Sequence, residues 1–192
     1  MNRLHKVICS SGRWRRIVER ELLPWGLDAV ELGDEVLEIG PGFGATTRVL
    51  ARRTPALTVL ELDERYCEHL RRELADPVTI VQGDATAMPF GDGRFSAVVC
   101  FTMLHHLPSP QAQNRLLAEV ARVLRPGGLF AGTDSLGRGL LFGLLHVGDT
   151  LVPVAPDGLA DRLNAAGLSE PVVAKGASSF RFRARKPLAV AG

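Results

Sequence analysis

The sequence has little of what marks disulfide-rich, metal-binding or membrane-spanning proteins. Its three cysteines are odd in number and share no metal-ligand spacing, which favours free thiols in a reducing compartment. Residues 136–154 are the most apolar late stretch, but charges and glycines interrupt them before the roughly 20 apolar residues of a membrane span are reached. Residues 1–16 lack a continuous apolar core of signal-peptide length. We therefore expect a cytoplasmic protein without a membrane span or a metal.

The sequence also lacks an excess of either charge. It has 23 Lys and Arg against 21 Asp and Glu, and the two signs are interspersed along the chain. No global electrostatic field therefore indicates a nucleic-acid partner. The 192 residues suit one domain that can bury a sizeable core without disulfides or metals. We expect a single α/β domain, and the sequence leaves its oligomeric state open.

What the sequence does contain is a glycine-rich turn directly after a short apolar run. Residues 36–39 are largely apolar and β-branched, and Gly40, Gly42 and Gly44 follow them. This pattern predicts a buried strand that ends in a turn and opens a helix. Glycines permit positive φ angles and let backbone amides approach a ligand closely, so the turn predicts a nucleotide-binding loop.

Two classes of nucleotide are compatible with this loop. Residues 40–45 also satisfy the Gly-x-Gly-x-x-Ala form of the dinucleotide fingerprint, with Glu61 at about the right distance to bind a ribose. Glu38, however, would repel a pyrophosphate and would suit a cationic ligand. Residues 38–44, Glu-x-Gly-x-Gly-x-Gly, resemble the first motif of the class I S-adenosylmethionine-dependent methyltransferases, whose cofactor carries a sulfonium and an ammonium group.

The resemblance implies further cofactor contacts from successive strand ends. It assigns Glu61 to the ribose hydroxyls, and Asp84 with the backbone of Ala85 to the adenine. Asp63 is an alternative ribose ligand, although it also suits the N-cap of the next helix. The complete predicted cofactor set is Glu38, Gly40, Pro41, Gly42, Gly44, Glu61, Leu62, Gly83, Asp84, Ala85, Phe101 and Thr102.

The resemblance also implies the fold, a Rossmann-like three-layer α/β sandwich with a seven-stranded mixed sheet whose last strand is antiparallel. Hydrophobic patterns predict strands at 36–39, 57–62, 78–81, 95–101 and 129–133, a closing pair at 171–175 and 179–185, and helices at 13–23, 45–53, 64–74, 111–124 and 157–166. Pro24 is expected to stop the first helix. We expect a helical cap in residues 1–33, a cofactor-binding core in 34–134, and a substrate-side insert with closing strands in 135–192.

Departures from the family pattern bear on the methyl acceptor. Ser96 stands where the family usually has Asp, and we expect a weaker structural hydrogen bond there. Residues 101–104 lack the Asn/Asp-Pro-Pro-aromatic tetrad of base-methylating relatives, and the chain has no Pro-Cys nucleophile. Both absences favour a small-molecule acceptor over a nucleic-acid base. A non-catalytic cofactor-binding module and an NAD-binding oxidoreductase are the alternatives.

Several residues are candidates for the acceptor side of the site. His105 and His106 follow the fourth strand and would suit a general base, or would hold a loop without a catalytic role, so no catalytic residue is assigned. Trp14 and Trp25 would line a pocket or fill space. Residues 136–154 would form an apolar lid or an ordinary core helix.

Overall fold

The computed structural model describes residues 7–8, 11–28, 30–74, 78–137 and 150–189. These residues form one mixed sheet of order β3-β2-β1-β4-β5-β7-β6. Its strands are β1 (Glu35–Ile39), β2 (Ala56–Glu61), β3 (Val78–Gln82), β4 (Phe95–Phe101), β5 (Leu124–Ser135), β6 (Ser169–Lys175) and β7 (Ser179–Arg185). The pairs among β1 to β5 are parallel, whereas β7 runs antiparallel to both β5 and β6. The predicted Rossmann-like sheet is confirmed.

Helices flank this sheet. An N-terminal helix comprises α1 (Gly12–Ile17), a π-helical turn (Val18–Leu22) and α2 (Leu23–Gly26). The others are α3 (Thr47–Leu50), α4 (Glu64–Glu73), α5 (Pro110–Val123) and α6 (Leu159–Ala165), with 3₁₀ turns at Leu104–His106 and Pro156–Gly158. In the described part of the chain, no helix has the length and apolarity that a bilayer crossing requires.

The sheet is buried on both faces, which explains why its central strands read as nearly continuous apolar runs. Along β4, Ala97 and Val99 contribute to one core, and Val98 and Cys100 contribute to the other. The first core includes residues of the N-terminal helix and α3, and the second includes residues of α5 and α6. The two cores hold the carboxyl ends of the strands in fixed positions beneath the loops that follow them.

The prediction that Pro24 stops the first helix is wrong. The chain widens into the π turn, in which the amide of Leu23 donates to the carbonyl of Val18, and it then continues helically to Gly26. Pro24 lies in the first turn of α2, where a missing N–H costs least. The π turn thus carries the helix past the proline.

The structure also differs from the predicted bounds of the helix at 45–53 and of the fifth strand. The helix predicted over 45–53 is α-helical only in α3, with turns on both sides. Strand β5 begins at Leu124 rather than at residue 129, because the segment before Leu129 already pairs beside the start of β4. Gly167, with φ +89°, follows α6 in the left-handed conformation that commonly ends a helix.

Ser96 does form hydrogen bonds at the start of β4, and whether they are weaker than those of an Asp stays a prediction. Its hydroxyl accepts the amide of Glu35 at 3.0 Å and lies 2.8 Å from the carbonyl oxygens of both Leu32 and Glu35. A hydroxyl has one proton, so it donates to one of these carbonyls at a time. Ser96 therefore ties the segment before β1 to the start of β4.

The cysteines behave as packing residues where the structure describes them. Cys67 and Cys100 are unpaired and buried, and burial is the main cause that raises the pKa of each thiol, to about 11 for Cys67. A raised pKa leaves little reactive thiolate. Cys9 lies outside the described residues, as does most of the predicted lid, since residues 138–149 are not described.

Candidate cofactor and acceptor site

A cavity of about 350 Å³ opens at the carboxyl ends of β1, β2 and β4. Ligands of open α/β sheets bind at this edge. All residues of the predicted cofactor set except Glu38 and Gly44 line the cavity. Phe43, Tyr66 and Met103 also line the cavity. The cofactor motifs did not assign them, because motif spacing does not show which neighbouring side chains face the cavity.

The glycine-rich turn has the predicted backbone conformation. Gly40, Gly42 and Gly44 have φ angles of +63°, +56° and +72°, which side-chain-bearing residues rarely adopt. A Cβ on Gly40 would lie 2.5 Å from Cγ of Met103 at the cavity wall. A Cβ on Gly44 would instead meet Leu70 at 2.5 Å, so this glycine serves the packing of α4 rather than the cavity surface.

Glu61 holds the turn from the end of β2. Its Oε2 accepts the amide of Gly42 at 3.1 Å, and its Oε1 accepts the amide of Asp63 at 3.1 Å. Burial raises the pKa of this carboxyl, and the two backbone amides act in the opposite direction. Each carboxylate oxygen has a second lone pair, so both can still accept a hydroxyl of a ligand.

Glu38 lies just behind the cavity wall and is 1% exposed. Its Oε1 accepts the hydroxyl of Thr46, a residue that lines the cavity, whereas Oε2 is buried without a hydrogen-bond partner in the described part of the chain. Burial raises the pKa of Glu38 to about 7, and the nearby hydroxyls of Thr46 and Thr47 partly oppose this rise. An unpartnered buried carboxylate oxygen is the kind of group that a nearby cation satisfies.

The loop after β3 forms the opposite end of the cavity. Asp84 is exposed at this end, and its Oδ1 accepts the amide of Thr86 at 2.7 Å. Asp84 is therefore a turn residue and a cavity-lining residue at once. Asp63, the alternative ribose ligand, also lines the cavity and accepts the amide of Arg65 as N-cap of α4.

Thr102 adopts an unusual backbone conformation at the rim of the cavity. Its φ of +51° is rare for a β-branched residue, and its amide donates to the carbonyl of Thr133 at 2.8 Å. Strained residues of this kind concentrate at functional sites. No local sequence pattern indicates this conformation, since the bond to Thr133 joins residues far apart in the chain.

The structure separates the two candidate histidines. His105 is 3% exposed, its ring Nδ1 bonds the buried carboxylate of Asp134, and its amide donates to the same carboxylate at 3.0 Å. His106 lines the cavity, with its Nδ1 3.3 Å from the carbonyl oxygen of Thr150. His105 therefore anchors the loop, and His106 faces the site.

The two tryptophans are separated in the same way. Trp14 lines the cavity, whereas Trp25 packs against Arg181, whose guanidinium lies 5.6 Å from the ring.

Among the described residues, no three His, Cys, Asp or Glu side chains are grouped as a metal site would need.

The methyltransferase domain family matches residues 37–132, which is half of the chain. The chain belongs to this family. The predicted family, its S-adenosyl-L-methionine cofactor and the methyltransferase class are thereby confirmed at the level of the family.

The relatives differ in the acceptors that their names give. The chain is 40% identical over 111 residues to a fatty-acid O-methyltransferase of Mycolicibacterium smegmatis, covering 55% of this chain and 39% of the relative. It is 48% identical over 58 residues to a ribosomal RNA small subunit methyltransferase A of Cupriavidus metallidurans, covering 30% and 21%. The chain thus spans well under half the length of either relative.

A solved structure agrees with the fold. A methyltransferase of Thermotoga maritima superposes with a TM-score of 0.72 at 19% identity, covering 95% of this chain and 97% of the other. At this identity, the likeness shows the fold alone.

Two observations test whether the site fits S-adenosyl-L-methionine, and both agree. The unpartnered oxygen of Glu38 would be satisfied by a cationic group held by the adjacent glycine turn. Gly40 and Gly42 line the cavity with positive φ angles, so the turn presents its backbone and not side chains to a ligand. The assignment of individual contacts to the cofactor stays a prediction.

Proposed function

We propose that this chain is an active S-adenosyl-L-methionine-dependent methyltransferase whose acceptor is a small, largely apolar molecule. The observation that supports it best is one continuous cavity with two kinds of wall. The predicted cofactor residues form one side, and the other side includes Trp14, Leu22 and Leu107. A cavity shared in this way leaves room for an acceptor beside the cofactor, which a non-catalytic binding module would not need.

The chemistry requires little from the protein beyond alignment. S-adenosyl-L-methionine supplies an electrophilic methyl group on a positively charged sulfur, so the acceptor attacks in line. Glu38, Glu61 and Asp84 would hold the cofactor through charge and hydrogen bonds. The apolar wall would align the acceptor and exclude water, which is where most of the rate acceleration would arise.

His106 is the residue placed to accept a proton from a hydroxyl or amine acceptor. A carbonyl oxygen only accepts, so the contact with Thr150 requires a proton on Nδ1. In the neutral ring, Nε2 is then the nitrogen that can act as a base. A carboxylate acceptor would need no base, and His106 would then be dispensable for transfer.

A ribosomal RNA acceptor is the second candidate, because the Cupriavidus relative shares 48% identity over 58 residues. That match covers a smaller part of this chain than the fatty-acid relative does. The absence of the base-methylating tetrad at residues 101–104 also favours the small molecule.

We infer a cytoplasmic location from the free thiols of Cys67 and Cys100, since a reducing compartment keeps cysteines unoxidised.

We also propose that the chain divides into a helical cap, a cofactor-binding core and a substrate-side segment. The contribution of Trp14 to the cavity supports the role of the cap.

The proposal is tested with methyl-labelled S-adenosyl-L-methionine and three acceptor sets. These are saturated fatty acids from octanoic to hexadecanoic acid, a long-chain alkylphenol, and purified ribosomal RNA. We expect label in an organic-extractable product and none in RNA. The Gly40→Val variant serves as a control that we expect to lose cofactor binding, because valine disfavours the φ of +63° and its Cβ would displace Met103 at the cavity wall.

The outcomes separate the candidates. Label in RNA alone would replace the small-molecule proposal with the second candidate. Binding of S-adenosylhomocysteine without transfer to any acceptor, including a small-molecule cell extract, would indicate a binding module. Binding of NAD(H) in place of S-adenosylhomocysteine would favour an oxidoreductase.

A further inference from the structure

The N-terminal helix, residues 12–26, forms part of the cavity wall. Trp14, Val18 and Leu22 recur every four residues and line the cavity together. Val18 and Leu23 of the same helix belong to the core beside the sheet. One side of this helix therefore faces the cavity and the core.

The other side of the helix carries a row of cations. Arg13, Arg16 and Arg20 are spaced by three and four residues and are exposed. At about 100° per residue, this spacing places them on one stripe, roughly opposite the cavity-lining stripe. We call these three residues the arginine stripe.

The arginine stripe has no acidic partner among the residues that the structure describes. None of its three guanidinium groups makes an ion pair or hydrogen bond with another residue that the structure describes. Glu19, on the same helix, is already paired with Arg52 at 3.0 Å. These three cations, which have no partner in the described part of the chain, are therefore available to an external one.

Two exposed apolar residues precede the helix that carries the arginine stripe. Val7 and Ile8 are helical and 65% and 37% exposed. The carbonyl of Ile8 accepts both the amide and the hydroxyl of Ser11, which in turn caps α1 through the amide of Trp14. The exposed apolar pair is thus attached directly to the start of the arginine-bearing helix.

We propose that this face docks on the surface of an anionic phospholipid bilayer. Basic side chains next to exposed apolar ones are the combination that binds such interfaces, since the cations attract the headgroups and the apolar groups enter the acyl boundary. Docking would place the wall of the acceptor cavity against the lipid phase. An apolar acceptor of the proposed function concentrates there, although docking itself does not depend on that function.

A bilayer fits this face better than a nucleic acid does. Single-stranded nucleic acids are bound by aromatic groups that stack on bases beside the cations. Trp14, the aromatic residue of α1, faces the cavity and not the arginine stripe. Exposed valine and isoleucine offer nothing to a phosphate backbone but do partition into lipid.

The test is co-sedimentation of the full chain with vesicles of phosphatidylcholine alone and of phosphatidylcholine mixed with phosphatidylglycerol. We expect binding to the anionic vesicles only, with loss at high ionic strength. The triple variant Arg13→Gln, Arg16→Gln, Arg20→Gln should bind about a hundredfold more weakly, because each basic residue contributes about fivefold near an anionic surface.

A matched control removes the same charge elsewhere. Arg72, Arg115 and Arg183 are also exposed and make no ion pair within the described residues, so their triple replacement by Gln changes net charge equally. This control should bind anionic vesicles about as well as the wild type. Unchanged S-adenosylhomocysteine affinity in both triple variants would show that the fold and cavity are intact, whatever the result of the acceptor assay.

Three results would overturn the proposal. They are no binding of the wild type to anionic vesicles, an equal loss in the control variant, and binding to a mixed-sequence RNA that depends on the arginine stripe while vesicles are not bound. The second would indicate a general charge effect, and the third would assign the face to RNA.

Discussion

At the scale of single residues, the three predicted acidic groups differ in a way that the motifs do not indicate. Glu38 is buried behind the cavity wall, Glu61 is nearly buried in it, and Asp84 is exposed at its rim. The family resemblance of the sequence predicted all three as cofactor ligands. Their burial decreases from the central strand β1 through β2 to the edge strand β3, and it predicts different behaviour on mutation.

Glu61→Gln should weaken S-adenosylhomocysteine binding by about 1–3 kcal/mol, because a charged acceptor is lost and the new amide would face the amides of Gly42 and Asp63. Isothermal titration calorimetry measures this difference. Glu68→Gln, an exposed change on α4, is the control and should leave the affinity unchanged. Equal affinity of both variants would mean that the ribose end of the site lies elsewhere.

Glu38 should make stability decrease with pH. Its pKa is raised from 4.5 to about 7 in the folded protein, so between these values the native state holds more protons than the unfolded state. The free energy of unfolding should therefore fall as pH rises through this window, by about 3 kcal/mol in total. Full stability from this group is present below the unfolded value.

Urea unfolding of the wild type and of Glu38→Gln at about pH 5 and about pH 8 checks this expectation. The variant does not titrate at this position, so its decline should be smaller. Glu61 also has a raised pKa but is present in both proteins, so the comparison isolates Glu38. An identical decline in both proteins would refute the assignment.

At the scale of elements, the strands were predicted closely and the helix ends less well. Buried strands between two layers must be apolar on both faces, and this pattern is visible in residues 95–101 without any structure. The continuation through Pro24 was not predictable, because the π turn depends on how Val18 and Leu23 pack into the core. The anchoring of His105 on Asp134 likewise joins two elements far apart in sequence.

Close packing between β4 and β5 leads to a prediction for Gly132. A Cβ at this position would lie 1.9 Å from the carbonyl oxygen of Cys100, so Gly132→Ala should destabilise the protein by about 3 kcal/mol or more. Gly158→Ala is the control, since nothing lies within 4 Å of its added Cβ, and it should be neutral within about 1 kcal/mol. Urea denaturation compares the two, and equal stability would show that the strands separate easily.

At the scale of the whole molecule, the cavity unites segments from most of the chain but not the closing hairpin. Its described lining residues extend from Trp14 to Thr150, and none belongs to β6 or β7. A ligand should therefore stabilise one part of the molecule more than the other. Such uneven stabilisation would distinguish ligand binding in this cavity from a ligand effect that stabilises the whole fold equally.

Hydrogen exchange with and without S-adenosylhomocysteine tests the asymmetry. We expect slower exchange in the N-terminal helix and in the loops after β1, β2 and β4, because these contact the cavity. The amides of β6 and β7 should change little, and they provide the internal control. Equal protection of the hairpin would mean that the ligand binds elsewhere or acts through global stability.

The sequence by itself determined the order of strands and helices, the glycine turn and the acids at successive strand ends, because each depends on local backbone conformation and hydrophobic periodicity. Only the tertiary structure decided that His106 rather than His105 faces the cavity, that Trp14 and not Trp25 lines it, and that Glu38 lies behind its wall. These outcomes depend on contacts between residues far apart in the chain, such as His105 with Asp134. Local propensity carries no information about such contacts.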